Sequence, residues 1–137
     1  MSTHRILLIE DDATEAKLAR RTLNKIDPEI EVIRLKDGAH FLEYYSDHQP
    51  NEDVSLAIMD LHMPHLSGLQ VLESLQAQGS RPSFPIVMFS STDDASEVTR
   101  AYELGGSAFV NKPASSARYR EVFQHIVNFW LSTNRIR

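Results

Sequence analysis

Short apolar runs alternate along the chain with longer stretches in which apolar residues return every three or four positions. The first run, Ile6-Leu7-Leu8-Ile9, stops on Glu10, Asp11 and Asp12. Residues 13–25 then carry Leu18, Ala19 and Leu23 at helical spacing, with Ile26 just beyond. Asp12 is placed to cap this helix and Asp27-Pro28 to stop it. Residues 30–35 alternate as a second strand, Asp37-Gly38 turns the chain, and 39–48 read as a helix with Phe41, Leu42 and Tyr45 inward. After a polar loop at 49–53, the stretch from Val54 to Met59 is apolar but for Ser55 and ends on Asp60. Ser67-Gly68 opens a third helix with Leu69, Leu72 and Leu75 on one face. A Pro- and Ser-containing connection at 79–85 leads to a fourth run, 84–89, ending on Ser90, Ser91 and Thr92. Asp93-Asp94 suit the start of a fourth helix, which runs to Leu104 and is ended by Gly105-Gly106. Residues 107–111 form a short fifth strand before Lys112-Pro113, and a last helix spans 116–133.

Runs that are apolar almost throughout suit strands buried on both faces, as in a parallel sheet. Five such strands alternating with five helices predict an α/β fold, doubly wound, with helices on both faces and right-handed crossovers. No repeat, low-complexity segment or linker interrupts the pattern, so residues 1–137 are expected to form one domain.

Composition narrows the function. No window is apolar enough to span a membrane, and Met-Ser-Thr-His-Arg runs straight into a strand rather than into a signal peptide. The absence of cysteine excludes disulfides and thiolate metal sites and fits a cytoplasmic protein. A net charge of −5 with no basic patch argues against nucleic-acid binding. The arginines at 20, 21, 135 and 137 read as helix surface and chain end.

The strand ends hold the chemistry. The first delivers Glu10 and Asp11, the third Asp60, the fourth Ser90 and the fifth Lys112, all to the carboxyl edge where open α/β sheets bind ligands. Clustered carboxylates repel one another until a cation arrives. Hard oxygen ligands without thiolates favour Mg²⁺ or Mn²⁺, and Mg²⁺ keeps positions for phosphate oxygens. A carboxylate can then act as nucleophile and become an aspartyl phosphate. The cation, the Lys112 ammonium and the Ser90 hydroxyl would each meet one equatorial oxygen of the transferred group.

Five pieces carry a family resemblance: Ile-Leu-Leu-Ile-Glu-Asp-Asp at 6–12, Met-Asp-Leu-His-Met-Pro at 59–64, Gly68, Phe-Ser-Ser at 89–91, and Ala-Phe-Val-Asn-Lys-Pro at 108–113. Over nearly its whole length the chain resembles the receiver domains of bacterial two-component response regulators. The resemblance implies a flavodoxin-like (βα)5 fold with strand order 2-1-3-4-5. It implies that Asp60 is the phosphoacceptor and that the metal is held by Asp11, by Glu10 largely through water, by Asp60, and by the backbone carbonyl of His62. Ser90 becomes the switch hydroxyl, Phe109 the switch aromatic and Lys112 the phosphate-binding lysine, with a cis peptide between Lys112 and Pro113. The implied protein is not an enzyme. It takes a phosphoryl group from a histidine kinase and signals through phosphorylation-dependent contacts or dimerisation. The chain departs from the family pattern at Glu10, where Asp is commoner, at Phe109, which lacks a phenol, and at Ala114, where Phe is usual.

The loop 49–53, the connection 79–85 and the tail containing Trp130 resemble single-domain regulators paired with phytochrome kinases, and no output domain is expected. A homodimer is expected through the fourth helix, fifth strand and last helix, using Tyr102, Phe123, Val127 and Trp130, with Phe129 and Leu131 as spare apolar residues. Three other readings have been weighed. A metal-dependent phosphatase that forms an aspartyl phosphate needs a second acid two residues after the nucleophile, where His62 stands. An intermediate phosphate shuttle would share the Asp60 chemistry. A flavodoxin-like electron carrier needs a hydroxyl- and Gly-rich loop after the first strand, where this chain has Glu10-Asp11-Asp12. His62 and His65 lack the spacing of a metal pair, and His62 is expected to flank the phosphoryl site and tune its lifetime.

Overall fold

The computed structural model describes residues 4–133, and within them strands and helices alternate from the start. The order is β1 (Arg5–Ile9), α1 (Ala13–Ile26), β2 (Glu31–Leu35), α2 (Gly38–Asp47), β3 (Leu56–Asp60), α3 (Gly68–Ala77), β4 (Ile86–Ser90), α4 (Ala95–Glu103), β5 (Ala108–Asn111) and α5 (Ser116–Val127). All strands are parallel, in the order β2-β1-β3-β4-β5. The order reverses beside β1, which creates the switch-point crevice expected to hold a ligand.

Successive side chains of a strand point to opposite faces, so a sheet covered on both sides needs two cores. Leu7, Ile9, Ala57, Met59 and Met88 pack with Phe41, Val71, Leu72 and Leu75 beneath α2, α3 and α4. Ile6, Leu8, Leu56, Ile58 and Phe89 pack with Leu23, Tyr119, Phe123 and Ile126 beneath α1 and α5. This is why the strands read as unbroken apolar runs. Each fully buried Leu or Ile contributes about 1.5–3 kcal/mol relative to an exposed one.

Helix starts follow their caps. Asp12 accepts from the N–H groups of Thr14 and Glu15, Asp37 from His40, and Asp94 from Ser96. Ser67 and Gln70 form a reciprocal capping box. The structure shifts several boundaries. β3 begins at Leu56, directly after the Ser55 N–H donates to the Arg5 carbonyl of β1 at 2.8 Å. β4 extends to Ser90, which pairs with Asn111. Leu18 faces solvent, and Ala16 takes the inward position beside Ala19 and Leu23. The last helix is not uniform: α5 stops at Val127, and a π-helical segment, Asn128–Thr133, continues the chain. Arg135 and Arg137 lie outside the described residues. Among the described residues no helix is long and apolar enough to cross a membrane.

Candidate functional site

Three strand ends converge where the order switches. The Glu10 N–H donates to the Leu35 carbonyl at 3.1 Å, so the chain stays docked on β2 for one residue past β1. Arg34 of β2 then donates through Nε to the Glu10 carbonyl at 3.1 Å and through Nη2 to the Asp11 carbonyl at 3.0 Å. The turn is thus pinned by its backbone, while the carboxylates of Glu10 and Asp11 are left to face the crevice. Glu10 is buried and Asp11 is exposed. Asp60 closes β3, nearly buried, and its Oδ1 accepts from the His62 N–H at 3.3 Å.

Gly68 brings α3 down onto this strand end. Its N–H donates to the Leu61 carbonyl at 2.7 Å, and a Cβ there would lie 2.9 Å from the Asp60 carbonyl oxygen and 2.7 Å from Met88 Cε. Any side chain would lift the helix off the backbone that carries Asp60.

Oxygens of Glu10, Asp11 and Asp60 come within 4.8 Å of one another. The Lys112 backbone N–H donates to the Ser90 carbonyl at 2.8 Å, and its ammonium reaches back over the cluster. The ammonium lies 2.9 Å from Glu15 Oε1, 3.3 Å from Glu10 Oε1 and 3.5 Å from Asp60 Oδ2. The Ser90 hydroxyl is buried and accepts from the Thr92 N–H at 3.4 Å. Phe109 is half-buried against the core of the α2–α4 face.

Burial pushes the Glu10 carboxyl up to about 7, with the charge of Asp60 adding to the effect and Lys112 opposing it. Asp60 is also raised, again chiefly by burial, against the pull of Lys112 and the His62 N–H. Burial pulls the Lys112 ammonium down, but its bond to Glu15 and the charges of Glu10 and Asp60 outweigh that and hold it above its usual range. Two buried carboxylates and a third at the rim therefore share one ammonium. Oxygen-only donors, this close and short of positive charge, fit a hard divalent cation.

The structure brings Glu10, Asp11, Asp60 and Lys112 together, with Ser90 ending the adjacent strand β4. Two expectations fail. The Lys112–Pro113 peptide is not cis; among the described residues the cis X–Pro bond is Gln49–Pro50. The lysine reaches the acids without it, because the bond to the Ser90 carbonyl already aims its side chain inward. Phe123 and Val127 cannot serve a dimer interface, since both are buried with Tyr119 and Ile126 against the sheet. Helical periodicity marks the apolar face, and that face is the one that packs. Tyr102 is exposed and Trp130 half-exposed.

Glu15, Arg34 and Glu97 were not singled out from sequence. Glu97 receives the Thr92 hydroxyl at 2.8 Å and lies 3.2 Å from His62 Nε2, so the His62 ring is engaged across the crevice with α4. Each of the three reaches its partner through the fold alone. Glu15 and Glu97 each stand in a capped first turn, of α1 and α4, which gives a local signal; Arg34 has none.

A sequence model described as the response regulator receiver domain matches residues 6–124. The chain belongs to that family. The receiver is 26% identical over 131 residues to response regulator Rcp1 of Synechocystis, covering 93% of this chain and 89% of that one. It is 24% identical over 123 residues to a chemotaxis protein CheY homolog of Campylobacter jejuni, covering 90% and 92%. Among solved structures, the Mn²⁺-bound form of Rcp1 superposes with a TM-score of 0.83 at 24% identity, covering 98% and 99%. The phosphorylated cyanobacterial phytochrome response regulator RcpA superposes at 0.88 with 22% identity, covering 98% and 99%. These likenesses establish the fold of the receiver, including its strand order.

Proposed function

We propose that this receiver is the phosphoacceptor of a two-component phosphorelay, taking a phosphoryl group from a histidine kinase onto Asp60 with Mg²⁺, or Mn²⁺, at the cluster. The carrying observation is the meeting of Glu10, Asp11 and Asp60 within 4.8 Å, with the Lys112 ammonium 3.5 Å from Asp60. An Asp60 oxygen attacks phosphorus, the new O–P bond forms, and the P–N bond to the donor imidazole breaks with its electron pair left on nitrogen. Glu10, Asp11, Asp60 and the His62 backbone carbonyl would hold the cation, which when bound neutralises charge on the transferred group. Lys112 balances a second oxygen, and the Ser90 hydroxyl donates to a third.

Drawing Ser90 toward the phosphoryl group vacates space that Phe109 enters, which alters the surface between α4 and α5. That surface offers an apolar trough of about 520 Å³ between β5 and α5, lined in part by Val110, Val122, Ile126, Phe129 and Trp130. A second copy meeting it, with Tyr102, Trp130, Phe129 and Leu131 at the contact, forms the signalling dimer. The likeness to Rcp1 and to RcpA, a phytochrome response regulator, supports a phytochrome-type kinase as donor. The phosphatase reading is weaker, because the residue two beyond Asp60 is a histidine paired with Glu97 rather than a free acid.

Incubation with acetyl phosphate and Mg²⁺ followed by intact-mass measurement tests the reading. One added phosphoryl group, absent in Asp60→Asn and absent in EDTA, is the expected result. Labelling that persists in either condition overturns it.

A further inference from the structure

We infer that Glu15 is a built-in competitor for the phosphate-binding lysine, occupying the Lys112 ammonium until a phosphoryl group displaces it. The inference rests on the phosphoacceptor reading and deepens it.

The closest anion to the Lys112 ammonium is the Glu15 carboxylate at 2.9 Å, ahead of Glu10 at 3.3 Å and Asp60 at 3.5 Å. Yet Glu15 stands apart from the three-acid cluster suited to a metal. Its backbone is fixed, because Asp12 caps the first turn of α1 by accepting from the Thr14 and Glu15 N–H groups. Its side chain is not. The Glu15 side chain is 40% exposed, whereas those of Glu10 and Asp60 are 7% and 10% exposed. Of the three anions around Lys112, only Glu15 can leave into water at small cost, since an exposed carboxylate keeps its solvation.

The two states follow from this asymmetry. At rest, Lys112 donates its shortest bond to Glu15 and stands 3.5 Å from Asp60. When a phosphoryl group arrives on Asp60, its doubly charged oxygens outbid a single carboxylate for the ammonium. Glu15 then swings to solvent. Binding at Asp60 is weakened by whatever Glu15 and Lys112 give up on parting, so Glu15 sets a threshold for occupancy. Its charge also acts directly on Glu10 and Asp60, raising both, so the local contest must be separated from a general charge effect.

A double-mutant cycle separates them. Beryllofluoride, a phosphoryl mimic that seats on a carboxylate, is titrated by calorimetry and by ¹⁹F NMR at saturating Mg²⁺. The proteins are the wild type, Glu15→Gln, Lys112→Ala and the double variant, with Lys112→Met substituted should the alanine variant not fold. Glu15→Gln is expected to tighten binding roughly threefold to fivefold, the size of an ion pair with one exposed partner. In the background lacking Lys112 the same change is expected to give no gain. Equal tightening in both backgrounds, or none in either, overturns the inference while leaving the phosphoacceptor reading intact. A wild type that takes up no beryllofluoride at all sinks the phosphoacceptor reading and this inference together.

Discussion

At the carboxyl edge of the sheet, polar groups are buried and held close together; along the flank formed by β5 and α5, apolar groups stand in the open. Glu10, Asp60 and Ser90 are all withdrawn from solvent around a single ammonium. Phe129 is exposed, Trp130 packs edge-on against it at 4.8 Å between ring centres, and the trough beside them is open. Each region is left incomplete in a different way. The edge is short of positive charge, as a cation site is. The flank leaves apolar area uncovered, the mark of a surface suited to a protein partner. The two are joined through the fold: Phe109 on β5 sits two residues after Ser107 at the trough and three before Lys112 at the cluster.

The contrast is sharpest between α5 and the π-helical segment that continues it. Phe123 is 0% exposed and Phe129 is 51% exposed. Phe123→Ala is expected to cost about 3–5 kcal/mol of unfolding free energy, and Phe129→Ala less than about 0.5 kcal/mol. Urea denaturation of both variants checks this, and comparable costs would erase the distinction between packed and presented faces.

The edge predicts the next largest effect. An ordinary glutamate titrates near about 4.3, while folded Glu10 is held up to about 7. Between those values the folded chain keeps a proton that the unfolded chain has lost. Stability from this group is therefore complete below the window and is lost as pH rises through about 7, and raised Asp60 acts in the same sense. In EDTA, unfolding free energy is expected to fall by on the order of 2 kcal/mol from pH 5 to pH 8. Saturating Mg²⁺ is expected to abolish the fall, because the ion takes the deprotonated ligands. Urea melts at the two pH values, with and without the ion, test it; a flat or rising profile in EDTA would show that the edge is not short of positive charge.

The smallest expected effect concerns the flank alone. Phe129→Ser with Trp130→Ser should shift the fold by about 1 kcal/mol at most. The pair should nevertheless hold the phosphorylated receiver monomeric at tens of micromolar, where wild type is expected to dimerise. Sedimentation velocity with and without beryllofluoride decides this, and an unchanged dimer would move the contact elsewhere.

The site was legible because strands buried on both faces leave no polar alternation to confuse the reading. Each apolar run points to its own polar end, so Glu10, Asp11, Asp60, Ser90 and Lys112 could be grouped from order alone. What could not be read is reach. Glu15, Arg34 and Glu97 belong to elements whose local pattern says only helix or strand, and their roles depend on a neighbour far away in the chain. Lys112 and Glu15, for example, are 97 positions apart and 2.9 Å from contact to contact. Periodicity likewise found the apolar face of α5 but not that Phe123 and Val127 would be used up by the sheet. The change from α to π winding after Val127 had no signal in spacing, since it alters the position of Phe129 and Trp130 by less than a turn.

Tyr102 carries one more consequence. β5 is an outer strand, bonded to β4 on one side only. Its Phe109 N–H is taken by the Tyr102 hydroxyl at 3.1 Å. Open main-chain donors on such a strand invite foreign strands to add on, the usual route to ladders that grow without limit. Here a helix lends a hydroxyl to the rim and blunts it at Phe109. Backbone zippering between copies of the chain is thereby disfavoured at this rim, and any association there is left to side chains.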